Sequence, residues 1–416
     1  MKKLTNIILM GGICLSLLAC SQANKQNIND MELSIREIVD KYYKGENIYI
    51  GASSRSSYWN KPDSIAERYF KEFSYNTPEN SFKQSTVNKR DGLGDDKWRG
   101  EEYTYFIDKA RETGQVIRAH GPISPQCNRW TREDNRTAQE LEGVLLRYMT
   151  TLSKELEKNH DVVKWMDVVN EVFTGSKQYG IGYDASLNEN TYLYEPDDWF
   201  GPRKGNDGWE NPWPIMGFEK VTFNGETFEM PCYIRMAFEI ANQYAPSIKK
   251  IWNSHGREVN MDLFANLKRS LLYIRSLGLK VDGLAWQAHV KLGWEKNPQN
   301  IANLQKMITW CHENNLEFHI SELDVIVYEN HANNTRNQEI GWQKLKETRK
   351  EQAETIGAML EVFLQNRGKG AVGLNFWTMH DHVHGNIAFA SLFDDMGNPN
   401  ESYYKVKELL LKYVPQ

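Results

Sequence analysis

Two glutamates, far apart in the sequence, each follow a short apolar run. Glu171 ends the run 165–171 (WMDVVNE), and Glu322 lies near the end of the run 318–324 (FHISELD). A strand that stops on a carboxyl group delivers that group to one face of the sheet. Glycoside hydrolysis needs two such groups, one to protonate the leaving oxygen and one to act from the other side of the sugar ring. A single glutamate here is as typical of a helix cap or an ion pair, so the prediction depends on the pair.

Within the pair we assign Glu171 as the general acid/base and Glu322 as the nucleophile, since burial and the like charge of Glu322 favour a protonated acid. Carboxyl groups about 5–5.5 Å apart retain the configuration of the sugar. We expect Asn170 to hydrogen-bond the sugar 2-hydroxyl, a contact that strengthens in the transition state. His289 is expected to orient Glu322, and Asp324 to hold His289. The alternative is that His289 and Asp324 form a purely structural pair.

Short strand-like runs alternate with longer amphipathic stretches along the chain. The runs are 47–52, 72–75, 116–120, 163–170, 250–253, 283–289, 317–323 and 371–377. Helical patterns cover 137–159, 231–244, 261–277, 300–314 and 342–365, and Gly278 and Gly368 stand where helices are expected to stop. Eight alternations in one chain predict an α/β fold, a single-domain (β/α)8 TIM barrel. A doubly wound open sheet is the alternative, but the sequence lacks its glycine-rich first turn.

Polar and aromatic residues stand at or just after seven of the predicted strand ends. They are Asn80, His120, Glu171, Asn253, His289, Glu322 and Trp377. Active sites of such barrels lie at the C-terminal ends of the strands, so these side chains are predicted to meet at one face. Strands 4 and 7 lie on opposing sides of an eight-stranded barrel, which lets their two glutamates face each other across a sugar.

The first residues are typical of a bacterial export signal. A basic start is followed by an apolar run at 7–18, too short for a comfortable membrane span, and then by Ala19-Cys20-Ser21. We therefore predict a lipoprotein signal peptide at 1–19, a lipidated Cys20 with a polar tether over 20–34, and a catalytic domain at 35–416. The protein is expected to be exported and lipid-anchored to a bacterial membrane, at the outer membrane, the surface or the periplasmic face. An ordinary signal peptide with a chance cysteine is the alternative.

Composition narrows the classes of partner. The net charge of −5 comes from interspersed residues, and no basic stripe favours nucleic acid. Beyond Cys14 and Cys20, three cysteines (127, 232 and 311) remain, too few and too uneven for a disulfide framework. The 13 Trp and 20 Tyr include many rings in loop-like sequence, where flat rings suit sugar faces. No nucleotide, flavin or pyridoxal-phosphate signature is present, so we predict no cofactor, and we expect a monomer.

Several segments, in order along nearly the whole mature chain, resemble glycoside hydrolase family 10, the endo-β-1,4-xylanase family of retaining barrel glycosidases. Residues 76–83 (NTPENSFK) resemble its TAENEMKW segment, 165–171 its WDVVNE and 287–289 (QAH) its QSH. Residues 320–324 (ISELD) resemble its ITELD, and 392–404 its closing segment. The resemblance implies endo hydrolysis of a β-1,4-linked glycan, with xylan the leading polysaccharide or oligosaccharide substrate. It also implies that sugar is bound by Glu79, Asn80, Lys83, His120, Gln287 and Trp377.

The chain departs from that family at the edges of the site. Where the family has TLVWHSQ after the strand-3 histidine, residues 121–127 read GPISPQC, and Gln84 replaces a Trp after Lys83. After Trp377 the run 380–385 (HDHVHG) lacks the family's second Trp, and Gly385 stands near its place. Loss of these bulky groups predicts room for a C5 substituent or a decorated backbone. The alternative is that new side chains such as Gln126 or His382 refill the space.

The alternating histidines 380, 382 and 384 are compatible with a metal ion. No carboxylate or cysteine partner is identifiable, so we predict no metal and expect His382 to bind sugar or Glu322 instead. Cys127 has no surrounding pattern of a thiol enzyme.

An enlarged loop is predicted after strand 4, over 173–230. It carries eight Tyr, Trp and Phe residues between 179 and 213 and is expected to lie beside the acid/base, on the leaving-group side. The alternative is that these rings only pack the loop on itself.

Two other functions stay open. One is the same mechanism acting on a hexose-containing or C5-substituted polysaccharide, since a fold does not fix a substrate. The other is a glycan-binding lipoprotein without turnover, against which the joint presence of Asn170, Glu171, His289 and Glu322 argues.

Overall fold

The structure is a computed structural model. It describes residues 30–55, 64–88, 98–124, 136–173, 181–184, 189–192, 212–255, 261–330, 332 and 334–415. The predicted signal peptide, Cys20 and most of the predicted tether lie outside these residues, as do Gln126 and Cys127. Within the described residues, no helix has the length and apolarity needed to span a membrane.

Eight parallel strands close into a barrel, which confirms the predicted (β/α)8 class. Around the barrel the order is β10-β9-β4-β3-β2-β1-β13-β12, and pairing of β10 with β12 closes the ring. These strands are β1 (Tyr49–Ser54), β2 (Tyr75–Pro78), β3 (Val116–Ala119), β4 (Val163–Asn170), β9 (Lys249–Ser254), β10 (Gly283–Trp286), β12 (Glu317–Glu329) and β13 (Ala371–Phe376). Strand residues Tyr75, Trp165, Ile251, Ala285 and Val372 form one buried cluster.

The remaining strands lie outside the barrel ring. They are β5 (Ile181–Asp184), β6 (Glu189–Tyr192), β7 (Phe218–Phe223), β8 (Glu226–Pro231), β11 (His289–Lys291), β14 (His382–His384) and β15 (Ile387–Ala390). β12 runs seven residues past Glu322 and pairs there with β11 and β15, and β15 pairs with β14. This small sheet forms a wall on the strand-7 and strand-8 side of the barrel mouth.

Helices cover the outside of the barrel. They are α1 (Ile35–Tyr42), α2 (Ser64–Glu72), α3 (Gln84–Val87), α4 (Glu101–Thr113), α5 (Ala138–Lys158), α6 (Cys232–Tyr244), α7 (Met261–Ser276), α8 (Pro298–Glu313), α9 (Thr335–Glu347), α10 (Arg349–Gln365) and α11 (Glu401–Lys412). Thr137 and Glu140 form a capping box at the start of α5, which satisfies backbone N–H groups that the first turn leaves without partners. Gly278 and Gly368 adopt positive φ after α7 and α10, as predicted.

Three predicted elements were wrong in detail. Glu72 ends α2 rather than beginning the second strand, because its carboxylate is buried and accepts a hydrogen bond from the backbone N–H of Ile35 at 2.9 Å. The predicted helix 342–365 is two helices that part at Thr348. Strand 7 is longer than predicted because residues 325–329 pair with β15 in the small sheet at the barrel mouth.

The long segment after β4 contains more regular structure than predicted. β5 pairs with β6, and β7 pairs with β8 through a two-residue turn at Asn224-Gly225. The second hairpin packs on the outside of α7, where Phe223 and Phe228 contact the Tyr273 ring at 6.1 and 6.3 Å. That part of the segment therefore lies against a barrel helix. The aromatic residues 179, 194, 199, 200 and 209, and the side chains of 183 and 192, lie outside the described residues.

Candidate active site

The two glutamates of the sequence prediction meet at the C-terminal end of the barrel, Glu171 directly after β4 and Glu322 within β12. Three residues next to the site that are not glycine adopt positive φ: Glu171 at 52°, Ala288 at 66° and Thr378 at 75°. Such conformations are disfavoured for residues with a Cβ and persist where surrounding contacts hold them. Here they turn the chain sharply where β4, β10 and β13 end, which aims the following side chains at the barrel mouth.

Glu322 is buried, with 3% of its surface exposed. Its Oε1 accepts a hydrogen bond from Asn253 Nδ2 at 2.8 Å, and its Oε2 accepts one from His289 Nε2 at 3.3 Å. Burial opposes ionisation of this carboxyl, but the charge of His120 and the hydrogen bonds from His289 and Asn253 outweigh it and lower the pKa of Glu322 to about 2. At neutral pH the group is therefore a carboxylate held at a fixed angle.

The amide side chains of Asn253 and Gln287 connect the two glutamates. Both amide nitrogens donate to Asn170 Oδ1, at 2.8 and 3.3 Å. The same Asn253 nitrogen bonds Glu322 Oε1, and the same Gln287 nitrogen donates to Glu171 Oε1 at 2.7 Å. The carboxyl groups are thus four hydrogen bonds apart along one continuous path. One hydrogen-bonded network thus holds both carboxyl groups, and Glu171 is only partly buried.

His289 links Glu322 to Asp324, as the sequence predicted. Its Nδ1 donates to Asp324 Oδ1 at 3.0 Å while its Nε2 points at Glu322. Desolvation favours the neutral ring, but the two carboxylates prevail and raise the pKa of His289 to about 10. The ring is therefore an imidazolium at neutral pH. It orients Glu322 and keeps its charge neutralised until a sugar arrives.

Replacement of His289 by Gln is expected to move the acid limb of the kcat/KM–pH profile to higher pH. Glu322 must be ionised to attack, so activity falls as pH falls through its pKa, and loss of the imidazolium raises that pKa. A pH-rate profile from pH 3 to 9 measures the shift. Asp324→Asn is the companion variant, since it leaves the ring in place but weakens its charge. An unchanged acid limb in both variants would show that His289 does not set the ionisation of Glu322.

His120 stands beneath Glu322 at the end of a buried charged chain. Its Nδ1 donates to Asp167 Oδ2 at 2.9 Å and lies 3.8 Å from Glu322 Oε1. The two oxygens of Asp167, Oδ1 and Oδ2, accept hydrogen bonds from Arg118 Nε at 2.8 and 3.0 Å. Both side chains of that ion pair are fully buried. The ring of His120 is 98% buried, so its described contacts are with protein groups and with the Trp377 ring, 5.2 Å away.

Replacement of Arg118 by Leu is expected to lower the free energy of unfolding by about 3–5 kcal/mol, because it leaves the charge of Asp167 buried without its main partner. Urea unfolding followed by tryptophan fluorescence measures the change. Arg235→Leu is the control, since Arg235 forms surface ion pairs with Glu219 and Glu239 and should lose about 1 kcal/mol or less. Equal losses in the two variants would argue against a special role for the buried pair.

Trp377 forms the wall between the two histidines of the site. Its ring lies edge-on to His120 and to His289, with centroids 5.2 and 6.3 Å away, and its backbone N–H donates to Leu323 O at 2.9 Å. The indole therefore contacts both histidines that lie beside Glu322. The aliphatic part of Lys83 packs beside Gly121, directly after His120.

Glu79, one of the residues predicted to bind sugar, is a buried residue. It is 97% buried, its Oε1 accepts from Ser53 Oγ at 3.3 Å, and its Oε2 accepts from Arg55 Nε at 2.5 Å. Asn80, beside it, is exposed, and Arg55 keeps 48% of its side chain exposed. The guanidinium of Arg55 is thus ion-paired with the buried carboxylate of Glu79.

The residues near the site that differ from the family pattern leave less empty space than their smaller size predicts. Ser124 is buried and accepts a hydrogen bond from Asn170 Nδ2 at 2.9 Å, so it orients that amide rather than leaving a void. Gly385 takes φ of 60° in the turn between β14 and β15. His382 stacks on Phe389 with centroids 4.8 Å apart and shares a hydrogen bond with Thr378 Oγ1 at 3.3 Å. Thr378, and not Glu322, is thus its hydrogen-bond partner.

No group of three or more His, Cys, Asp or Glu side chains suited to a metal ion occurs in the part of the chain that the structure describes. The histidines 380, 382 and 384 fall within that part. Burial above all lowers the pKa of His382 to about 3, and the charges of His380 and Arg55 add to the effect.

Sequence reasoning assigned no role to four residues of the site. The ion pair of Asp167 and Arg118 could have been predicted, because each is a charged residue inside an apolar strand and the two strands are neighbours. Asn253 was placed at a strand end but given no partner, and Arg55 stood in no motif.

The comparisons with known proteins agree with this geometry. The model of the family described as Glycosyl hydrolase family 10 matches residues 38–192 and 221–409, well over half of the chain. Endo-1,4-beta-xylanase A of Caldicellulosiruptor saccharolyticus is 24% identical over 391 residues, 92% of this chain and 97% of that protein. Endo-1,4-beta-xylanase B of Thermotoga neapolitana is 22% identical over 400 residues, 92% of this chain and 93% of that protein.

A solved structure shares the fold over nearly the same length. Xylanase 10B of Thermotoga petrophila RKU-1, in complex with xylobiose, superposes with a TM-score of 0.64 at 23% identity, covering 92% of this chain and 98% of that one. At that identity the likeness establishes the barrel architecture.

Proposed function

Because the chain belongs to glycosyl hydrolase family 10, we propose that it is an endo-β-1,4-xylanase that hydrolyses xylan with retention of configuration. The observation that carries the proposal is the pair Glu171 and Glu322, delivered by opposing strands and joined by one hydrogen-bonded path. The xylanases that match over nine-tenths of the chain support the substrate class.

In the first step Glu322 attacks the anomeric carbon and forms a covalent glycosyl-enzyme. The bond to the leaving oxygen breaks, and that oxygen takes a proton from Glu171. Gln287 Nε2 holds Glu171 Oε1, which leaves Oε2 to carry the proton. As the charge of Glu322 is used up, His289 and Asn253 keep their bonds to its oxygens, so the carboxyl group cannot swing away.

In the second step Glu171, now ionised, accepts a proton from a water molecule that attacks the same carbon and releases Glu322. The sugar regains its original configuration after two inversions. Trp377, whose ring contacts His120 and His289, offers its ring to the sugar that undergoes reaction.

We also propose that the protein is exported as a lipoprotein, anchored through Cys20, and that it acts as a monomer. The basic start, the apolar run 7–18 and the position of Cys20 after Ala19 support the anchor. Labelling of expressing cells with a radioactive fatty acid, beside a Cys20→Ala variant, tests it. Label in the wild type alone would support lipidation, and label in neither would refute it.

The proposed activity is tested by release of reducing ends from decorated and plain xylans, β-glucans and mannans, using the chain from residue 22 onward. Activity on xylans supports the proposal. Activity confined to a hexose glycan keeps the mechanism and changes the substrate. Binding without release on any polymer favours a glycan-binding protein.

A further inference from the structure

His255 lies one hydrogen bond behind the side chain that holds the acid/base. It directly follows β9, the strand between β4 and β10 in the barrel order. The residue is half-buried, and its Nδ1 lies 2.9 Å from Oε1 of Gln287, just after β10. Nε2 of the same Gln287 donates to Glu171 Oε1 at 2.7 Å and to Asn170 Oδ1 at 3.3 Å. His255 therefore reaches Glu171 through a single amide group.

The orientation of the Gln287 amide follows from its partners. An ionised carboxylate only accepts hydrogen bonds, so the NH2 group of Gln287, and not its oxygen, faces Glu171. The oxygen of Gln287 then faces His255, and an amide oxygen also only accepts. Nδ1 of His255 must therefore carry a hydrogen and donate it to Gln287. The donors run in one direction, from His255 through Gln287 to Glu171.

The reversed amide would disable the acid. When Glu171 is protonated for the first step of hydrolysis, its hydroxyl group donates to an acceptor within reach. A reversed Gln287 would present its oxygen there and draw the proton to Oε1, away from the leaving oxygen of the glycan. In the observed orientation the oxygen of Gln287 is occupied by His255, and Glu171 meets only a donor. Its proton is then left on Oε2 for the substrate.

Among the described residues, two contacts hold Gln287 in this orientation when Glu171 is protonated. The bond from His255 measures 2.9 Å, and the bond to Asn170 measures 3.3 Å. N–H···O bonds in proteins cluster near about 2.9–3.0 Å, so the bond from His255 is the better formed of the two. Loss of its donor is expected to let both orientations of the amide occur.

We propose that His255 is a positioning residue for the acid/base, and that its Nδ1–H keeps the amide of Gln287 turned so that Glu171 gives its proton to the glycan. This rests on the proposed function, because the proton matters only if the chain cleaves a glycosidic bond. In this assignment His255 contacts neither the reacting carbon nor the leaving oxygen. It acts through Gln287 alone.

The experiment measures kcat/KM on aryl β-xylobiosides whose leaving phenols differ in acidity, from dinitrophenyl to phenyl. Dinitrophenolate departs without a proton, whereas the phenyl leaving group needs one. His255→Phe keeps a ring but removes the donor. This variant is expected to lose about tenfold on the phenyl substrate, the scale of one hydrogen bond, and little on the dinitrophenyl substrate. Because each preparation is compared with itself across the substrates, a reduced folded fraction cancels.

His255→Asn is the conservative variant. Its side-chain amide can place an N–H group near the position of Nδ1, so it should restore most of the activity on the phenyl substrate. His255→Ala removes the donor without a ring, and it should match His255→Phe if the effect belongs to the donor. It also replaces His255→Phe if that larger ring prevents folding.

His160→Phe is the matched control. Nδ1 of His160 also bonds a protein oxygen at 2.9 Å, the backbone oxygen of Glu157. His160 is exposed and precedes β4, whereas Glu171 follows the other end of that strand. The control should keep the wild-type dependence on the leaving group, which excludes a general effect of replacing a histidine by phenylalanine.

A second comparison tests whether His255 acts through Gln287. In a Gln287→Leu background, His255→Phe should cost nothing further on the phenyl substrate, because both variants disturb the same amide. Independent losses that add in the double variant would overturn the inference.

Two patterns of loss in His255→Phe would also overturn it. Equal losses on all aryl substrates would make His255 a structural residue. A loss confined to xylooligosaccharides would make it a contact for the leaving sugar. If the wild type acts only on another glycan, aryl glycosides of that sugar take the place of the xylobiosides.

Inactivity of the wild type on every glycan and aryl glycoside would refute the proposed function instead. Neutron crystal structures of the wild type and His255→Phe then decide the inference, because deuterium positions show which end of the Gln287 amide faces Glu171. A mixed or reversed amide in His255→Phe would support the positioning role. An amide that keeps its orientation in that variant would overturn it.

Discussion

Glu322→Ala is expected to lower kcat on xylan by about 10⁴- to 10⁶-fold, the scale of losing a nucleophile. The carboxylate lies buried between Asn253 and His289, and no second carboxylate among the described residues shares those two donors. Water can fill the space left by the side chain but attacks poorly without a positioned base. Steady-state rates on xylooligosaccharides measure the loss, with circular dichroism to show that the fold persists.

Added azide should restore turnover of Glu322→Ala on an aryl xylobioside. The small anion enters the space of the missing carboxylate and attacks the anomeric carbon from that face. The product is then a glycosyl azide of inverted, α configuration, which NMR identifies. A β-azide from this variant would mean that Glu322 is not the nucleophile.

The pair of glutamates could be predicted from the sequence because each belongs to a local pattern. An apolar run that ends in Asn-Glu or Ser-Glu reads as a buried strand with a polar end, and eight alternations of strand and helix fix where strand ends meet. His289 and Asp324 could be paired from the barrel order as well, since His289 follows strand 6 and Asp324 lies on the neighbouring strand 7, two residues after Glu322. These inferences use only short segments and the symmetry of the fold.

What the sequence did not reveal depends on contacts between segments. The bond between Arg55 and Glu79 joins the ends of two strands, and neither residue alone signals that the carboxylate is covered. The division of α9 from α10 has no proline or glycine to mark it. The hairpin β7–β8 was predictable, because Asn224-Gly225 between alternating residues is a strong signal for a two-residue turn, and both residues adopt positive φ.

Glu171→Ala should affect substrates according to their leaving groups. When xylan is cleaved, the leaving group is a sugar hydroxyl, which is poorly acidic and needs a proton to depart. Hydrolysis of xylan is therefore expected to fall by about 10²- to 10⁴-fold. The dinitrophenolate of a dinitrophenyl xylobioside departs without a proton, so this substrate should still form the glycosyl-enzyme. Hydrolysis of the glycosyl-enzyme then lacks Glu171 as general base. Rapid mixing should therefore show a burst of dinitrophenol followed by slow turnover.

Azide separates this role from that of the nucleophile. In Glu171→Ala the anion attacks the finished glycosyl-enzyme from the face where water normally enters, so the product is a β-azide, opposite to that of Glu322→Ala. Glu171→Gln is the companion variant, because it keeps the contact with Gln287 while removing the proton donor. Equal losses on xylan and on the dinitrophenyl substrate, without a burst, would show that Glu171 shapes the cleft but does not move the proton. The two variants are thus each other's control, since the same reagent yields opposite stereochemistry only if the two carboxyl groups act from opposite faces of the sugar.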